Sequence, residues 1–167
     1  MKRILLKSVY DAFDYVMKHY YPFGMEEFAE RIDSYAVISI QDTHTEGFGV
    51  VFTRNRFCQN VLTLYFDDIV KEIGGATLFS EKQAKQIIEF IQVNSNVDTL
   101  LVHCYGGESR SRAVAAFAIK MLGGDNTKYF KTGRPNEYVY NVLMKIWKEV
   151  NVQSKYLTTT AEKGTKL

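Results

Sequence analysis

The stretch Leu100 to Gly124, LLVHCYGGESRSRAVAAFAIKMLGG, decides the fold of this chain. It begins as an apolar run, breaks at Cys104 into a short loop with two glycines, and continues as an alanine-rich segment. In that last segment Val114, Phe117 and Met121 recur at the spacing of one helix face. The stretch therefore predicts a buried strand, a tight loop and a helix, in that order.

A second helix and a second strand precede this stretch. Ser80 begins SEKQAKQIIEFIQ, and Gln83 follows three residues later, which is the pattern of a capping box at a helix start. The helix lies between the apolar runs VLTLYF, residues 61–66, and TLLVHC, residues 99–104. Two strands joined by a crossover helix favour parallel pairing. The predicted fold class is α/β, with a central, mostly parallel sheet flanked by helices.

Four further segments complete the predicted secondary structure. The runs YAVISI, residues 35–40, and GFGVVF, residues 47–52, have the β-branched and apolar character of strands. Residues 8–20 are predicted to form a helix. A final helix is predicted to begin near Pro135 and to carry an apolar stripe as far as Val150.

Length and composition indicate one domain. With 167 residues, 46% of them hydrophobic, the chain can bury a core of its own, which we assign to residues 1–150. Residues 151–167 are polar and are expected to be a C-terminal tail. Lys and Arg number 21 against 19 Asp and Glu, and the charges are interleaved, so neither a nucleic acid nor a membrane is expected as a partner.

Cysteine and histidine usage indicates a reducing compartment. The two cysteines, Cys58 and Cys104, do not form a disulfide framework, and the three histidines lack metal-ligand spacing. The apolar run Ile4 to Leu6 is too short for the core of a signal peptide. We therefore expect a cytoplasmic protein.

The loop after the predicted strand has the composition of an anion-binding site. At the carboxyl end of a parallel strand, backbone N–H groups and the positive end of the following helix favour a bound anion and the thiolate form of Cys104. Arg110 adds a guanidinium that can hold two phosphoryl oxygens, and Ser111 is placed to donate a hydrogen bond to the sulfur. The residues expected to bind the substrate, besides Arg110, are Tyr105, Gly106, Gly107, Glu108 and Ser109.

The residues from His103 to Ser111 match the signature HCxxGxxRS, and the chain thereby resembles the cysteine-dependent protein tyrosine and dual-specificity phosphatases. The signature is specific because nucleophile, glycine, arginine and hydroxyl must all coincide where a strand meets a helix. The looser resemblance runs from the strand at Tyr35 to the last helix. It implies the phosphotyrosine phosphatase-like fold, a phosphorylated protein or peptide as substrate, and a supporting role for His103.

The resemblance also implies a hydrolysis that needs neither a metal nor another cofactor. It proceeds in two steps through a phosphocysteine on Cys104, with Arg110 stabilising the transition state. A carboxylic acid must protonate the leaving group, and Asp67 and Asp68 follow a predicted strand where such phosphatases carry this acid. We assign Asp68, since the sequence FDDI resembles relatives that keep the second acidic position. Asp67 is the alternative, and the loop over residues 69–79 is longer than in compact dual-specificity enzymes.

Several alternatives stay open from the sequence. The chain is predicted to hydrolyse phosphotyrosine, with or without phosphoserine and phosphothreonine. The alternatives are other functions that use a related loop: a catalytically weak phosphopeptide-binding module, an RNA 5′-triphosphatase, a phosphoinositide phosphatase and a sulfur transferase. Glu108 and the lack of lysine in the loop disfavour a polyanionic headgroup. Cys58 is expected to be an idle buried thiol, Arg112 a surface residue, and residues 41–49 either a pocket rim or a solvated loop.

Overall fold

A computed structural model describes residues 1–44 and 47–163 of the chain. The strands in these residues are β1 (Arg3–Ser8), β2 (Tyr35–Gln41), β3 (Cys58–Tyr65) and β4 (Thr99–Cys104). They pair into one sheet in which every neighbouring pair is parallel, in the order β1-β4-β2-β3. The predicted α/β class is confirmed.

Helices cover both faces of the sheet. Two single turns of 3₁₀ helix, Pro22–Gly24 and Glu26–Phe28, lie ahead of β2. The predicted helices over residues 8–20 and after Ser80 are confirmed, and the capping box between Ser80 and Gln83 is formed in both directions. The α-helices are α1 (Val9–Tyr20), α2 (Glu81–Val93), α3 (Arg110–Met121), α4 (Thr127–Lys131) and α5 (Glu137–Lys163).

Alternate residues of the two central strands enter two separate cores. Val37 and Leu101 pack with α1 on one face, whereas Ile38 and Leu100 pack with α2, α3 and α5 on the other. Every residue of β2 and of β4 is buried. Burial on both faces explains why these strands are continuous apolar runs in the sequence.

Helix α3 lies inside the protein. Its first nine residues, from Arg110 to Ala118, are all buried. Small side chains allow this close approach, because Ala113 and Ala118 pack with α2 and α5 while Ala115 and Ala116 contact α4 and partly buried residues of β1. The start of α3, which carries Arg110 and Ser111, is therefore held in place by packing on all sides.

The predicted strand over residues 47–52 is wrong. Residues 50–52 have no regular secondary structure, and the preceding glycines, Gly47 and Gly49, adopt positive φ angles of 96° and 70°. Between them, the N–H of Phe48 donates to the side-chain oxygen of Gln41 at 2.9 Å instead of to a neighbouring strand. The glycines allow a turn that breaks an otherwise β-like pattern.

Strand β1 was not predicted, and the last helix is longer than expected. The apolar centre of β1, Ile4 to Leu6, pairs in parallel with β4 at one edge of the sheet. Helix α5 continues past Val150 to Lys163, so the backbone of much of the expected tail is helical, while residues 164–167 lie outside the described part. No helix within the described residues has the length and apolar character to cross a membrane.

Candidate active site

The carboxyl ends of the parallel strands bring together residues that are far apart in sequence. Cys104 ends β4, Asp42 follows β2, and Asp67 and Asp68 follow β3 after a single residue. Strands β4 and β2 are neighbours in the middle of the sheet. Ligands of open α/β sheets bind in this position, at the carboxyl edge.

Cys104 and Ser111 are in direct contact. The Sγ atom of Cys104 lies 3.0 Å from Oγ of Ser111, and the two side chains are 3% and 0% exposed. Ser111 is the second residue of α3, so the buried start of this helix fixes the hydroxyl beside the sulfur. A hydroxyl in this position can donate a hydrogen bond that stabilises a thiolate.

The loop from Tyr105 to Ser109 is held against the end of β1. Gly107 has a φ of 73°, and a Cβ atom there would lie 2.7 Å from the backbone carbon of Lys7 and from the backbone nitrogen of Ser8. The N–H of Val9 donates to the carbonyl of Tyr105 at 3.1 Å. Only glycine fits this combination of angle and contact. The unpredicted strand β1 therefore supports the loop.

Arg110 is anchored through one of its nitrogens. Its Nη1 donates to the carbonyl of Phe66 at 2.8 Å and forms an ion pair with Asp42 Oδ1 at 2.5 Å. The side chain is 5% exposed, and its Nε atom is buried with no acceptor among the described residues. The backbone after β3 and the carboxylate after β2 thus orient a guanidinium that still has an unpaired N–H.

Asp42 is a site residue that sequence reasoning did not single out. It lies in the segment of residues 41–49, which was considered only as a possible rim, and its position directly after a buried strand was the available signal. Its side chain is 30% exposed, so it stays partly accessible to solvent while bound to Arg110. Thr45 and Glu46 of that segment lie outside the described residues.

Glu108 and Arg112 form an ion pair beside the loop. Arg112 Nη2 lies 2.7 Å from Glu108 Oε2, and Arg112 Nε donates to the carbonyl of Glu108 at 3.0 Å. Arg112 is 9% exposed, so the expectation of a surface residue is wrong; Gly133, which lacks a side chain, provides room for its guanidinium. Because Glu108 is neutralised by Arg112, its charge is a weaker obstacle to anionic ligands than the sequence suggests.

Asp68 is attached to the loop by two donors. Ser109 Oγ donates to Asp68 Oδ1 at 2.7 Å, and Asn136 Nδ2 donates to the same oxygen at 2.8 Å. Asp68 is otherwise exposed to solvent. Its carboxyl group therefore lies beside the loop over residues 105–109, with Oδ2 unpaired among the described residues.

Asn136 connects three parts of the site and was also missed. Besides Asp68, its side chain caps α5 by accepting from the N–H of Val139 at 3.0 Å, and its backbone N–H donates to the carbonyl of Ser109 at 3.2 Å. The residue is 5% exposed. The available signal was an asparagine directly after Pro135, which is a common helix-start pattern.

Asp67 has a different environment from Asp68. It is 7% exposed and accepts hydrogen bonds from the backbone N–H groups of Thr43 and Thr77, at 3.2 and 2.7 Å, and from the Thr43 hydroxyl. Burial alone would raise the pKa of Asp67, but these hydrogen bonds and nearby His44 outweigh it, so the pKa is lowered. Asp67 is thus held as a carboxylate that joins the loops after β2 and β3.

His103 is a neutral residue on the opposite face of the sheet from Cys104. Its ring is fully buried, lies 5.1 Å from the ring of Phe52, and has no hydrogen-bond partner for either nitrogen among the described residues. Burial lowers the pKa of His103 to about 4. It packs behind the loop and carries no charge at neutral pH.

The sequence comparisons give no relative: no protein-family profile matches the chain, and no curated protein matches it. Solved structures do match. A human tyrosine phosphatase-like serine/threonine/tyrosine-interacting protein superposes with a TM-score of 0.54 at 16% identity, over 89% of this chain and 93% of its own. PTPMT1 in complex with PI(5)P gives a TM-score of 0.54 at 15% identity, over 90% and 94%. Human DUSP28 gives a TM-score of 0.50 at 15% identity, over 90% of this chain and 94% of its own.

The chain has the fold of the dual-specificity phosphatases. The matches extend over about nine tenths of each chain, so the likeness covers the whole arrangement of sheet and helices. At these identities it is a likeness of fold. The roles of individual residues are argued below from their own contacts.

Within this dual-specificity phosphatase fold, Cys58 lies far from Cys104. Tyr35 pairs with both Cys58 and Thr99, and Cys104 is five residues further along β4. At the rise per residue of an extended strand, Cys58 and Cys104 are roughly 16 Å apart along the strand direction. This distance is too long for a disulfide. Burial raises the pKa of Cys58 to about 11, so this thiol is protonated at neutral pH.

The contact between Gly107 and β1 gives a direct test of the loop. Replacing Gly107 with Ala should lower the free energy of unfolding by about 1–3 kcal/mol, because the new Cβ meets backbone at a positive φ. Gly106→Ala is the matched control, since a Cβ there meets nothing within 4 Å. Denaturant unfolding of both variants measures the difference, and equal stabilities would contradict the proposed support of the loop by β1.

Proposed function

We propose that this chain is a cysteine-dependent phosphatase that hydrolyses phosphotyrosine in proteins or peptides, and phosphoserine and phosphothreonine where they reach the sulfur. One observation carries the proposal. A buried cysteine lies 3.0 Å from a serine hydroxyl at the start of a buried helix, next to an anchored arginine with an unpaired N–H. The dual-specificity phosphatase fold of the chain supports it.

In the first step the Cys104 thiolate attacks phosphorus. The P–S bond forms as the bond from phosphorus to the leaving oxygen breaks, and the leaving oxygen takes a proton from the Asp68 carboxyl group. In the second step water attacks phosphorus, the P–S bond breaks, and Asp68 accepts a proton from the water. The hydrogen bond from Ser111 stabilises the departing thiolate. The products are inorganic phosphate and the free hydroxyl.

Arg110 stabilises charge on the phosphoryl oxygens in both steps. Because Asp42 and the Phe66 carbonyl occupy Nη1, the guanidinium is oriented before substrate binds, which removes a reorganisation cost from the reaction. A phosphoryl oxygen would give the buried Nε an acceptor. A buried donor without a partner destabilises a protein by about 1–3 kcal/mol. Binding an anion at Nε would remove this penalty.

The contacts of the two aspartates favour Asp68 as the acid. Asp68 is exposed and its two donors bind Oδ1, so Oδ2 is available to carry a proton. Asp67 accepts hydrogen bonds at both of its oxygens and is buried. A carboxylate that is held ionised by several donors is a poor proton donor.

Aromatic side chains beside the loop support phosphotyrosine as the main substrate. Tyr105, which directly follows the cysteine, is 54% exposed, and its ring lies 5.3 Å from Phe48 and 6.3 Å from Tyr10. These rings offer faces and edges for contact with the phenyl ring of phosphotyrosine. Phosphoserine and phosphothreonine lack that contact.

Two other candidates have a specific observation behind them. One structural neighbour is PTPMT1 in complex with PI(5)P, and the pairing of Glu108 with Arg112 reduces the repulsion of an anionic headgroup. Another neighbour is a tyrosine phosphatase-like serine/threonine/tyrosine-interacting protein, and a phosphopeptide-binding module is the second candidate. The intact set of Cys104, Ser111 and Asp68 favours turnover over binding alone.

The proposal is tested by phosphate release from matched phosphotyrosine and phosphoserine peptides in the presence of a chelator. The native protein should hydrolyse phosphotyrosine faster, and Cys104→Ser should lose at least a thousandfold in kcat, since a neutral hydroxyl replaces the thiolate. Cys58→Ser is the control and should retain activity. Binding of the peptides without turnover would instead identify a binding module.

The role of Asp68 predicts a dependence on the leaving group. Asp68→Asn should lower kcat for an alkyl phosphate by about 10²–10⁴, because an alkoxide must be protonated as it leaves. The loss should be much smaller for p-nitrophenyl phosphate, whose phenolate leaves without a proton. Steady-state kinetics with both substrates measures the two losses. Equal losses would show that Asp68 does not act as the acid.

A further inference from the structure

A groove of about 750 Å³ begins at the edge of the candidate active site. Asp68, Ser109 and Asn136 lie at one end of it, and these residues form the hydrogen bonds that attach Asp68 to the loop. From there the groove runs between the residues that follow Asp68 and the start of α5. It is therefore continuous with the phosphate-binding loop.

The position of Asp68 determines which part of a substrate reaches this groove. If Asp68 protonates the leaving oxygen, that oxygen must lie within hydrogen-bond distance of its carboxyl group. The remainder of the substrate is attached to this oxygen, so it leaves the phosphate-binding loop next to Asp68. The groove opens at that point, and this step rests on the proposed function.

The groove carries exposed apolar side chains on both of its sides. Val70 and Ile73 line it from the loop after β3 and are 59% and 51% exposed, although both are large hydrophobic residues. Pro135 and Tyr138 line it from the start of α5. Exposed apolar side chains that face a common groove beside a reaction centre are typical of a binding surface.

The charges of the groove favour a peptide over a membrane lipid. Lys71 is the one basic residue among the lining residues, against the carboxyl groups of Asp68 and Glu137, so the lining carries no net positive charge. An anionic membrane surface attracts clusters of basic residues, which this groove does not have among its lining residues. A peptide with an apolar side chain needs no basic cluster and matches the exposed apolar residues of the groove.

We propose that this groove is a specificity subsite that binds a bulky apolar residue adjacent to the phosphorylated residue of a substrate peptide. Val70 and Ile73, in the segment that follows β3, supply one side of the subsite. The preferred substrates are phosphopeptides with leucine, isoleucine or phenylalanine beside the phosphotyrosine.

The test compares kcat/KM for phosphotyrosine peptides that differ only in the flanking residues, with leucine, glycine or lysine on each side in turn. The native protein should prefer a flanking leucine over glycine by about tenfold, as expected for partial burial of one aliphatic side chain. Ile73→Ser and Val70→Ser should each reduce this ratio towards one. Ile32→Ser is the control, since Ile32 is 99% exposed and precedes the amino end of β2, whereas the groove lies at the carboxyl ends of the strands.

The kinetics of p-nitrophenyl phosphate, which is too small to fill the groove, separate this inference from the proposed function. If the protein turns over p-nitrophenyl phosphate but has equal kcat/KM for all the phosphotyrosine peptides, the subsite is overturned and the proposed phosphatase activity stands. Failure to turn over either kind of substrate would overturn both. Preference for a phosphoinositide in vesicles, with no preference among peptides, would overturn the peptide subsite in favour of a lipid.

Discussion

The anchoring of Arg110 is the interaction on which the rest of the site depends. Its Nη1 binds the carboxylate of Asp42 and the carbonyl of Phe66, so one side chain joins the carboxyl ends of β2 and β3 to the start of α3. The surrounding core keeps α3 in place, because its first nine residues are buried. Ser111 then lies beside the Cys104 sulfur as a consequence of the same helix position. A buried guanidinium needs such partners, since an unpaired buried charge is costly.

The two neighbouring aspartates, Asp67 and Asp68, have different surroundings and therefore different proposed roles. Asp67 joins the loops after β2 and β3 through its hydrogen bonds to Thr43 and Thr77, whereas Asp68 meets Ser109 and Asn136 at the surface. One residue of displacement along the chain thus changes a buried carboxylate into an exposed one. Asn136 extends the arrangement to α5, so the proposed acid, the loop over residues 105–109 and one end of the groove share a single hydrogen-bonding residue.

Much of the fold and the centre of the site could be predicted from the sequence because they follow local patterns. The apolar run before Cys104, the glycines after it and the capping box at Ser80 each specify a local structure with little help from distant residues. Asp42 and Asn136 could not be singled out, since their contacts depend on which strand ends become neighbours. Residues 47–52 show the opposite failure: their strand-like composition is overridden by two glycines at positive φ and by the contact with Gln41.

The central claim is that Cys104 accepts the phosphoryl group, and acid quenching during turnover tests it most directly. The native protein is mixed with a phosphotyrosine peptide, quenched within milliseconds and digested. By mass spectrometry, the fragment of the protein that contains Cys104 should be heavier by one phosphoryl group. The added phosphoryl group should be absent from Cys104→Ser. Turnover without a phosphorylated Cys104 fragment, or phosphate found on another residue, would contradict the account.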